Sequence, residues 1–249
     1  MRRGRAGLLR WGLAAGLALL GTGLGQPLNF SLTPTSFLIE SGKTLSGQTR
    51  FTNTSTRTAV FTVTAYGWNR VEGEDQLTPT RDVLVTPSRF VLQPGASQVV
   101  RVAVQRRPGQ DEMTYRVLLR QVEPERGEVP PGEDARGQID ALLELSLPVY
   151  VVPPTAAARI GYQVQKSADG KDLTLVFSNS GNRSYVLKGL KVTAGSDQNR
   201  AVPGVPQSFL IFRGNSYRVP LAGFGAESTL NFSFLTAEGK VVSEKVQVR

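Results

Sequence analysis

Few side chains in this protein could carry out covalent chemistry. Among its 249 residues there is no cysteine and no histidine, which excludes disulfides, Cys/His zinc sites, cysteine nucleophiles and histidine-based triads. Any catalysis would have to use carboxylates, lysine, serine or tyrosine. An acidic cluster, Glu72, Glu74 and Asp75, surrounds Gly73 in a predicted turn, and nothing places the opposing carboxylate that a glycosidase needs. We therefore interpret the cluster as a solvated loop and expect no enzyme.

The longest apolar strand is predicted at 139–152, directly after a charged loop rich in proline and glycine at 123–138. Its residues alternate between two faces, as in a β-strand. Pro148 interrupts the strand. Because proline lacks the N–H that a sheet ladder needs, it is confined to edge strands, bulges and strand starts. We therefore predict an edge strand at the end of a domain.

Most proteins blunt an apolar sheet edge, because an exposed edge pairs readily with other chains. An edge strand that stays apolar is therefore available to a strand from another protein. The alternative is that its apolar face lines the core of its own domain. We favour that alternative for the second half, Leu147, Val149 and Val151. For the half nearest the loop, binding of a partner is favoured only once the family resemblance given below is added.

The N-terminal segment has the layout of a secretory signal. Four arginines lie within the first ten residues, an apolar run follows at 11–20, and Gly23 and Gly25 precede Gln26. The apolar run is shorter than the roughly 20 residues of a spanning helix, so we favour cleavage near Gln26 over a membrane anchor. These arginines account for much of the net charge of +9. The remaining charges form no basic stripe with interleaved aromatics, so we expect no nucleic-acid partner.

The rest of the chain is typical of an all-β protein. Apolar residues recur with period two in short runs that are separated by turn signals such as Pro94-Gly95, a pattern that predicts antiparallel sandwiches. The pattern breaks at Pro153-Pro154 and then restarts. We predict two Ig-like β-sandwich domains, 26–153 and 154–249, joined by a short Pro-rich linker.

Several motifs together resemble the PapD-like periplasmic chaperones of pilus and fimbrial assembly. Trp68 lies where that family closes a strand with tryptophan. The most specific motif is Thr-Pro-Ser-Arg-Phe-Val-Leu-Gln-Pro-Gly at 86–95, and further matches lie at 51–54 and 115–124. Weaker echoes occur in the second domain at 175–179 and 210–214. The resemblance runs from about Phe30 to the C-terminus.

Membership of that family implies that the protein acts in the periplasm, holds exported pilin subunits and delivers them to an outer-membrane usher. The last strand of the first domain would fill the groove of an incomplete pilin. The apolar side chains carried over to that role are Ile139, Ala141, Leu143 and Leu145. No cofactor or metal is implied. A homodimer that covers the free edge is a further expectation.

The sequence departs from the family where the subunit's C-terminal carboxylate is anchored. The family's two basic positions align with Ser36 and Pro148, and neither side chain can bind a carboxylate as a cation would. The run Ser-Leu-Pro-Val-Tyr at 146–150 resembles the divergent branch that serves spore-coat-like pilins. Arg50, Arg116 and Arg120 remain as candidate anchors, and the sequence does not choose among them.

The family also has a salt-bridged pair that helps to fix the two domains. By resemblance this pair falls at Arg101 and Glu112, with Glu238 as an expected partner in the second domain. We expect Arg101 to look inward together with Val99 and Ala103, where an unpaired charge would be costly. A competing reading of the whole chain is an exported Ig-like adhesion or carbohydrate-binding module. That class would display aromatic residues on loops and would not need the apolar edge strand.

Overall fold

A computed structural model of the chain describes residues 29–71, 74–123, 125, 142–194 and 206–248. The described residues form 17 strands and no helix, so none of them belongs to a helix that could span a membrane. The predicted signal segment, the loop at 126–138 and the predicted partner-binding residues Ile139 and Ala141 lie outside the described residues.

Ten strands build the first sandwich. A four-stranded sheet has the order β1-β3-β8-β6, and the facing sheet has the order β2-β10-β9-β4-β5 with β7 also paired to β4. All pairs are antiparallel except β2 with β10, which is parallel. The strands are β1 Phe30–Thr33, β2 Phe37–Glu40, β3 Ser46–Asn53, β4 Ala59–Val71, β5 Glu74–Pro79, β6 Val83–Thr86, β7 Arg89–Leu92, β8 Ser97–Val104, β9 Met113–Val122 and β10 Glu144–Val152.

Seven strands build the second sandwich. Its sheets have the orders β11-β12-β15 and β14-β13-β16-β17. The strands are β11 Ile160–Lys166, β12 Leu173–Asn179, β13 Tyr185–Ala194, β14 Ser208–Ile211, β15 Ser216–Leu221, β16 Thr229–Thr236 and β17 Val241–Gln247. The predicted all-β fold of two sandwiches is therefore confirmed, while the domain limits proposed from the sequence stay a prediction.

Alternating side chains place a separate hydrophobic core inside each sandwich. In the first, Phe51 and Phe61 are fully buried and meet edge to face with ring centroids 4.8 Å apart. In the second, Phe177 packs edge to face on Phe232 at 5.6 Å. Edge-to-face contacts of this kind add to the free energy gained by burying apolar area. Each sandwich thus has its own core.

The predicted inward position of Arg101 is wrong. On β8 the buried side chains are Val100, Val102 and Val104, whereas Arg101 and Ala103 are exposed. The strand alternates as expected, but its two faces are the reverse of those assumed from the sequence. Arg101 consequently lies in solvent and does not need a buried partner.

A buried asparagine closes the end of one strand in each sandwich. The Asn53 amide at the end of β3 donates to the carbonyls of Arg57 and Leu92, at 2.7 and 3.0 Å. Asn179 at the end of β12 likewise donates to the carbonyls of Arg183 and Ile211, at 2.8 and 3.2 Å. Both side chains thereby satisfy backbone groups that the sheets leave unpaired.

Asn53→Ala is expected to destabilise the first sandwich by about 1–3 kcal/mol, since the buried Leu92 carbonyl loses its side-chain donor and the Arg57 carbonyl keeps only Ser55. Denaturant unfolding measures the change. Thr52→Ala, one residue away, removes only a surface hydrogen bond to Ser97 and should stay within about 0.5 kcal/mol of the parent. Equal stability of the two variants would contradict the assignment of this role to Asn53.

Candidate functional site

The first half of β10 is an open sheet edge. On one side β10 pairs with β9 from Glu144 to Val151. On the other side β2 pairs only with Val149 to Val152. Among the described residues, 144–148 therefore have a strand on one side alone. The interpretation of this strand as an edge is confirmed for that half.

Hydrogen bonds at the two ends of β10 show which backbone groups face the open edge. Leu143 accepts from the N–H of Gln121 in β9, and Val152 accepts from the N–H of Ser41 beyond β2. Because backbone direction alternates along a strand, odd-numbered residues turn their polar groups to β9 and even-numbered residues turn theirs outward. The N–H and C=O groups of Glu144 and Ser146 consequently face the open edge. Pro148 is also even-numbered, so the N–H that it lacks would have faced outward. The pairing of β10 with β9 is therefore unaffected by the proline.

The side chains of β10 divide between the core and the edge. Leu147, Val149 and Val151 are fully buried in the first core, which confirms the interpretation made for this half. Leu143 and Leu145 are only partly buried and pack against the margin of the same core. The two predicted partner-binding leucines thus already have apolar neighbours on one side.

Of the three candidate anchor arginines, one lies on the other sheet and one is already paired with a carboxylate. Arg50 is exposed on β3, in the sheet that does not contain β10. Arg120 faces Glu144 across the β9–β10 pair, and its Nε donates to the Glu144 carboxylate at 2.5 Å. The charge of Arg120 is therefore already paired.

Arg116 has a different environment. It lies on β9 directly opposite Pro148 of β10, and its guanidinium carbon lies 3.6 Å from the centre of the Trp68 ring. Its nearest carboxylate among the described residues, Asp75, lies 3.6 Å away, too far for a direct hydrogen bond. Burial lowers the pKa of the Arg116 guanidinium, while Asp75 acts in the opposite direction. Arg116 is thus a half-buried cation with hydrogen-bonding capacity to spare.

Trp68 connects this arginine to the second sandwich. The Trp68 ring is buried and contacts Phe212 edge to face with centroids 4.7 Å apart, and Tyr150 packs on it at 6.0 Å. Burial raises the pKa of Tyr150 to about 12, so its hydroxyl stays protonated. An aromatic group shared by both sandwiches therefore supports the Arg116 side chain.

Polar contacts fasten the same junction. The Glu112 carboxylate accepts from the backbone N–H of Ser184 at 2.8 Å, and the Asn182 amide donates to the carbonyl of Gln110. Arg213 pairs with Asp111 at 3.1 Å. Each of these bonds crosses from the first sandwich to the second, so the junction is held by direct contacts as well as by the linker.

The predicted interdomain salt bridge is not the one that forms. Arg101 is exposed on β8, and the cations that act on the Glu112 carboxyl are Arg183 and Arg213 of the second sandwich. Glu238 is exposed, and its nearby cations are Arg183 and Lys188 of its own sandwich. Glu112 does join the two sandwiches, but through the Ser184 backbone.

A cleft of about 800 Å³ opens at this junction. Its wall includes Trp68, Arg70, Glu112, Ser184 and Phe212. The Trp68 Nε1 atom is buried and has no hydrogen-bond partner among the described residues. An unpaired buried donor is costly, so this wall favours a ligand that brings hydrogen-bond acceptors.

Asp75 is not part of a solvated loop. It lies on β5 opposite Arg70 of β4, and Arg70 Nε donates to its carboxylate at 2.8 Å. Glu74 is exposed on the same strand, and Glu72 lies outside the described residues. The expectation of free acidic side chains is therefore wrong for Asp75.

Comparison with known proteins decides the family. Residues 29–157 match the family of pili and flagellar-assembly chaperones, PapD N-terminal domain. The protein is a member of this PapD-like chaperone family. No curated protein sequence matches the chain significantly.

Solved structures of pilus chaperones share the fold of this PapD-like chaperone. The complex of CsuC with the tip subunit CsuE from the archaic Csu pili of Acinetobacter baumannii matches with a TM-score of 0.63 at 14% identity, over 89% of this chain and 99% of the other. The complex of the pilin SafA with the chaperone SafB from Salmonella enterica matches at 0.59 and 14%, over 90% and 98%. The E. coli chaperone DraB matches at 0.58 and 14%, over 90% and 100%.

Sequence reasoning missed the cluster that surrounds the candidate anchor. The sequence indicates Trp68 and Arg116 separately but does not indicate their contact. No local sequence pattern indicates a role for Asp75 or Phe212 at this site. Alternation along β4 and β9 places Trp68 and Arg116 on one face of the sheet. The register between the strands, which brings them together, has no signature in either segment alone.

Glu112→Gln is expected to change how stability depends on pH. Burial raises the pKa of the Glu112 carboxyl above its ordinary value of 4.5. The folded state therefore holds this proton more tightly, and the resulting stabilisation, complete below the unfolded pKa, is lost as pH rises through the folded pKa. Relative to the glutamine variant, the parent should lose stability as the pH is raised upward from about 4.5, the ordinary pKa of this carboxyl.

Thermal unfolding of the two proteins across that range measures the difference. Glu244→Gln removes an exposed carboxyl of the second sandwich and is the matched control, for which no such trend is expected. Parallel curves for the parent and Glu112→Gln would contradict the account of a buried, charged Glu112 at the junction.

Proposed function

We propose that this chain binds exported pilin subunits in the periplasm by lending them the open edge of β10, and passes them to an outer-membrane usher. The observation that carries the proposal is the strand segment 144–148, which among the described residues has a neighbouring strand on one side only. An incomplete Ig-like subunit that lacks its last strand would pair with that segment. Residues 1–25 would serve as the export signal, leaving domains at 26–153 and 154–249.

Backbone pairing supplies much of the binding in this proposal. Leu143 and Leu145 are already partly buried in the free protein, so docking into a subunit groove would bury only their remaining apolar area. Each backbone hydrogen bond contributes about 0.5–1.5 kcal/mol net, and the edge presents such groups at Glu144 and Ser146. Ile139 and Ala141 would extend the apolar contact towards the loop. The same edge could pair with a second copy of the chain in a self-capping homodimer.

Arg116 is the anchor that we propose for the subunit's C-terminal carboxylate. It faces Pro148, the position of the family's strand lysine, and no carboxylate among the described residues lies within hydrogen-bond distance of it. Arg120 is paired with Glu144 and Arg50 lies on the other sheet. A planar guanidinium can bind a carboxylate through two parallel hydrogen bonds. Arg116 would then supply the charge that Ser36 and Pro148 lack.

Ser146→Pro tests the donation of the β10 edge. The substitution removes one outward N–H and, like Pro148, leaves the pairing with β9 intact. The variant is co-expressed with pilin subunits encoded beside the gene, and the captured subunit is measured by co-purification. We expect at least about a tenfold loss of captured subunit, because one backbone hydrogen bond is missing and the proline ring crowds the incoming strand. Ser146→Ala keeps the N–H and should capture within about twofold of the parent.

Undiminished capture by Ser146→Pro would refute strand donation at this edge. The backbone variant is a cleaner test than Leu143→Asp with Leu145→Asp. Both leucines pack against the first core, so charged replacements would also weaken the fold of the chaperone itself.

Arg116→Ala is expected to weaken capture of a subunit with a free C-terminus by about 10- to 100-fold, the range for a lost hydrogen bond to a charged group. A subunit whose C-terminus is extended by a few residues should show little further loss with this variant. Arg50→Ala is the matched control and should capture like the parent. Equal capture by Arg116→Ala and the parent would remove Arg116 as the anchor.

A further inference from the structure

Asp75 bridges two arginines at the junction of the sandwiches. Its Oδ1 atom accepts from Arg70 Nε at 2.8 Å and lies 2.5 Å from Arg70 Nη2. Its Oδ2 atom lies 3.6 Å from Arg116 Nη2. The two oxygens of one carboxylate therefore face two different guanidinium groups, one in close contact and one in loose contact.

The register of the sheet shows what this contact does to Arg116. The strand order is β10-β9-β4-β5, with Arg116 on β9 and Asp75 two strands away on β5. The Arg116 side chain lies over the Trp68 ring of β4 to reach Asp75. Its guanidinium is thus drawn away from Pro148 on β10, the side on which a subunit would pair. Asp75 holds the cation in a withdrawn position.

Arg70 keeps Asp75 in place independently of Arg116. Arg70 Nη1 donates to the Leu210 carbonyl at 3.2 Å, and its guanidinium lies 5.5 Å from the centre of the Phe212 ring. These groups belong to the second sandwich, so Arg70 is fixed from both sides. The contact between Asp75 and Arg116 can therefore break while Asp75 remains bound to Arg70.

Arg70, Arg116 and Asp75 together carry one net positive charge. Arg70 and Arg116 carry two positive charges, and Asp75 supplies one negative charge. An incoming carboxylate on Arg116 would neutralise this remaining charge, but it would have to approach the carboxylate of Asp75 beside the same guanidinium. Like charges at short range oppose binding.

We propose that Asp75 competes with the C-terminal carboxylate of a pilin subunit for Arg116 and so weakens the anchor. This inference rests on the proposed role of Arg116. A chaperone must release its subunit as well as hold it, and a built-in competitor makes the anchoring contact easier to break. Asp75 is thus a positioning residue that tunes affinity for the ligand's carboxylate.

Acetate is the probe for this competition, with acetamide as its uncharged counterpart. Trp11 and Trp68 are the two tryptophans of the chain, so a Trp11→Phe background leaves the Trp68 indole N–H as a single NMR reporter beside Arg116. The protein is purified from the periplasm of an expression host. Acetate is titrated against chloride at constant ionic strength, and the shift of the indole signal gives the dissociation constant.

Asp75→Asn should bind acetate at least about threefold more tightly than the parent background, with no gain for acetamide. Adding Arg116→Ala to Asp75→Asn should abolish the gain. Glu74→Gln removes the same charge from the adjacent residue, on the opposite face of β5, and should match the parent. A saturable signal in Asp75→Asn where the parent shows none would support the competition equally.

Several outcomes would overturn the competition. Acetate binding by Asp75→Asn that is equal to or weaker than that of the parent would do so, as would no saturable signal in either protein. An equal gain in Glu74→Gln would indicate a long-range charge effect instead. If Arg116 is not the anchor, the capture experiment shows this separately, because Arg116→Ala would then capture subunits like the parent. That result does not depend on the residue at position 75.

Discussion

The proposed function depends on one feature, the backbone N–H and C=O groups that stay unpaired along the first half of β10. A strand with a neighbour on one side leaves its outward N–H and C=O groups to water or to another chain. Within the part of the chain that the structure describes, this condition holds in β10 at 144–148 and ends where β2 begins to pair at Val149. The transition divides the strand into a segment that completes its own core and a segment that, in the proposed function, pairs with a subunit.

The junction of the two sandwiches fixes a cation on β9, the strand that pairs with β10. The buried Trp68 ring packs on Phe212 of the second sandwich and supports the guanidinium of Arg116. Glu112 and the pair of Asp111 with Arg213 hold the same junction by direct polar contacts. The relative position of the sandwiches therefore determines where Arg116 lies. Under the proposed function, the second domain would contribute to subunit binding through this coupling.

Local patterns predicted the elements of this fold better than the contacts between them. Period-two alternation and turn signals were sufficient for two sandwiches, and Pro148 was sufficient for an edge strand. The same alternation was assigned to the wrong face at Arg101, because a run such as Val99 to Ala103 is apolar on both sides. The cluster of Asp75 and Arg116 depends on the register of strands that are distant in sequence. No single segment carries that information.

Amide hydrogen exchange at the β10 edge tests the central claim most directly. In the free protein the N–H groups of Glu144 and Ser146 face away from β9 and should exchange rapidly with solvent. Binding of a pilin subunit should protect both, while Leu145, whose N–H faces β9, changes little. Continued rapid exchange at Glu144 and Ser146 in a complex that holds a subunit would contradict donation of this strand.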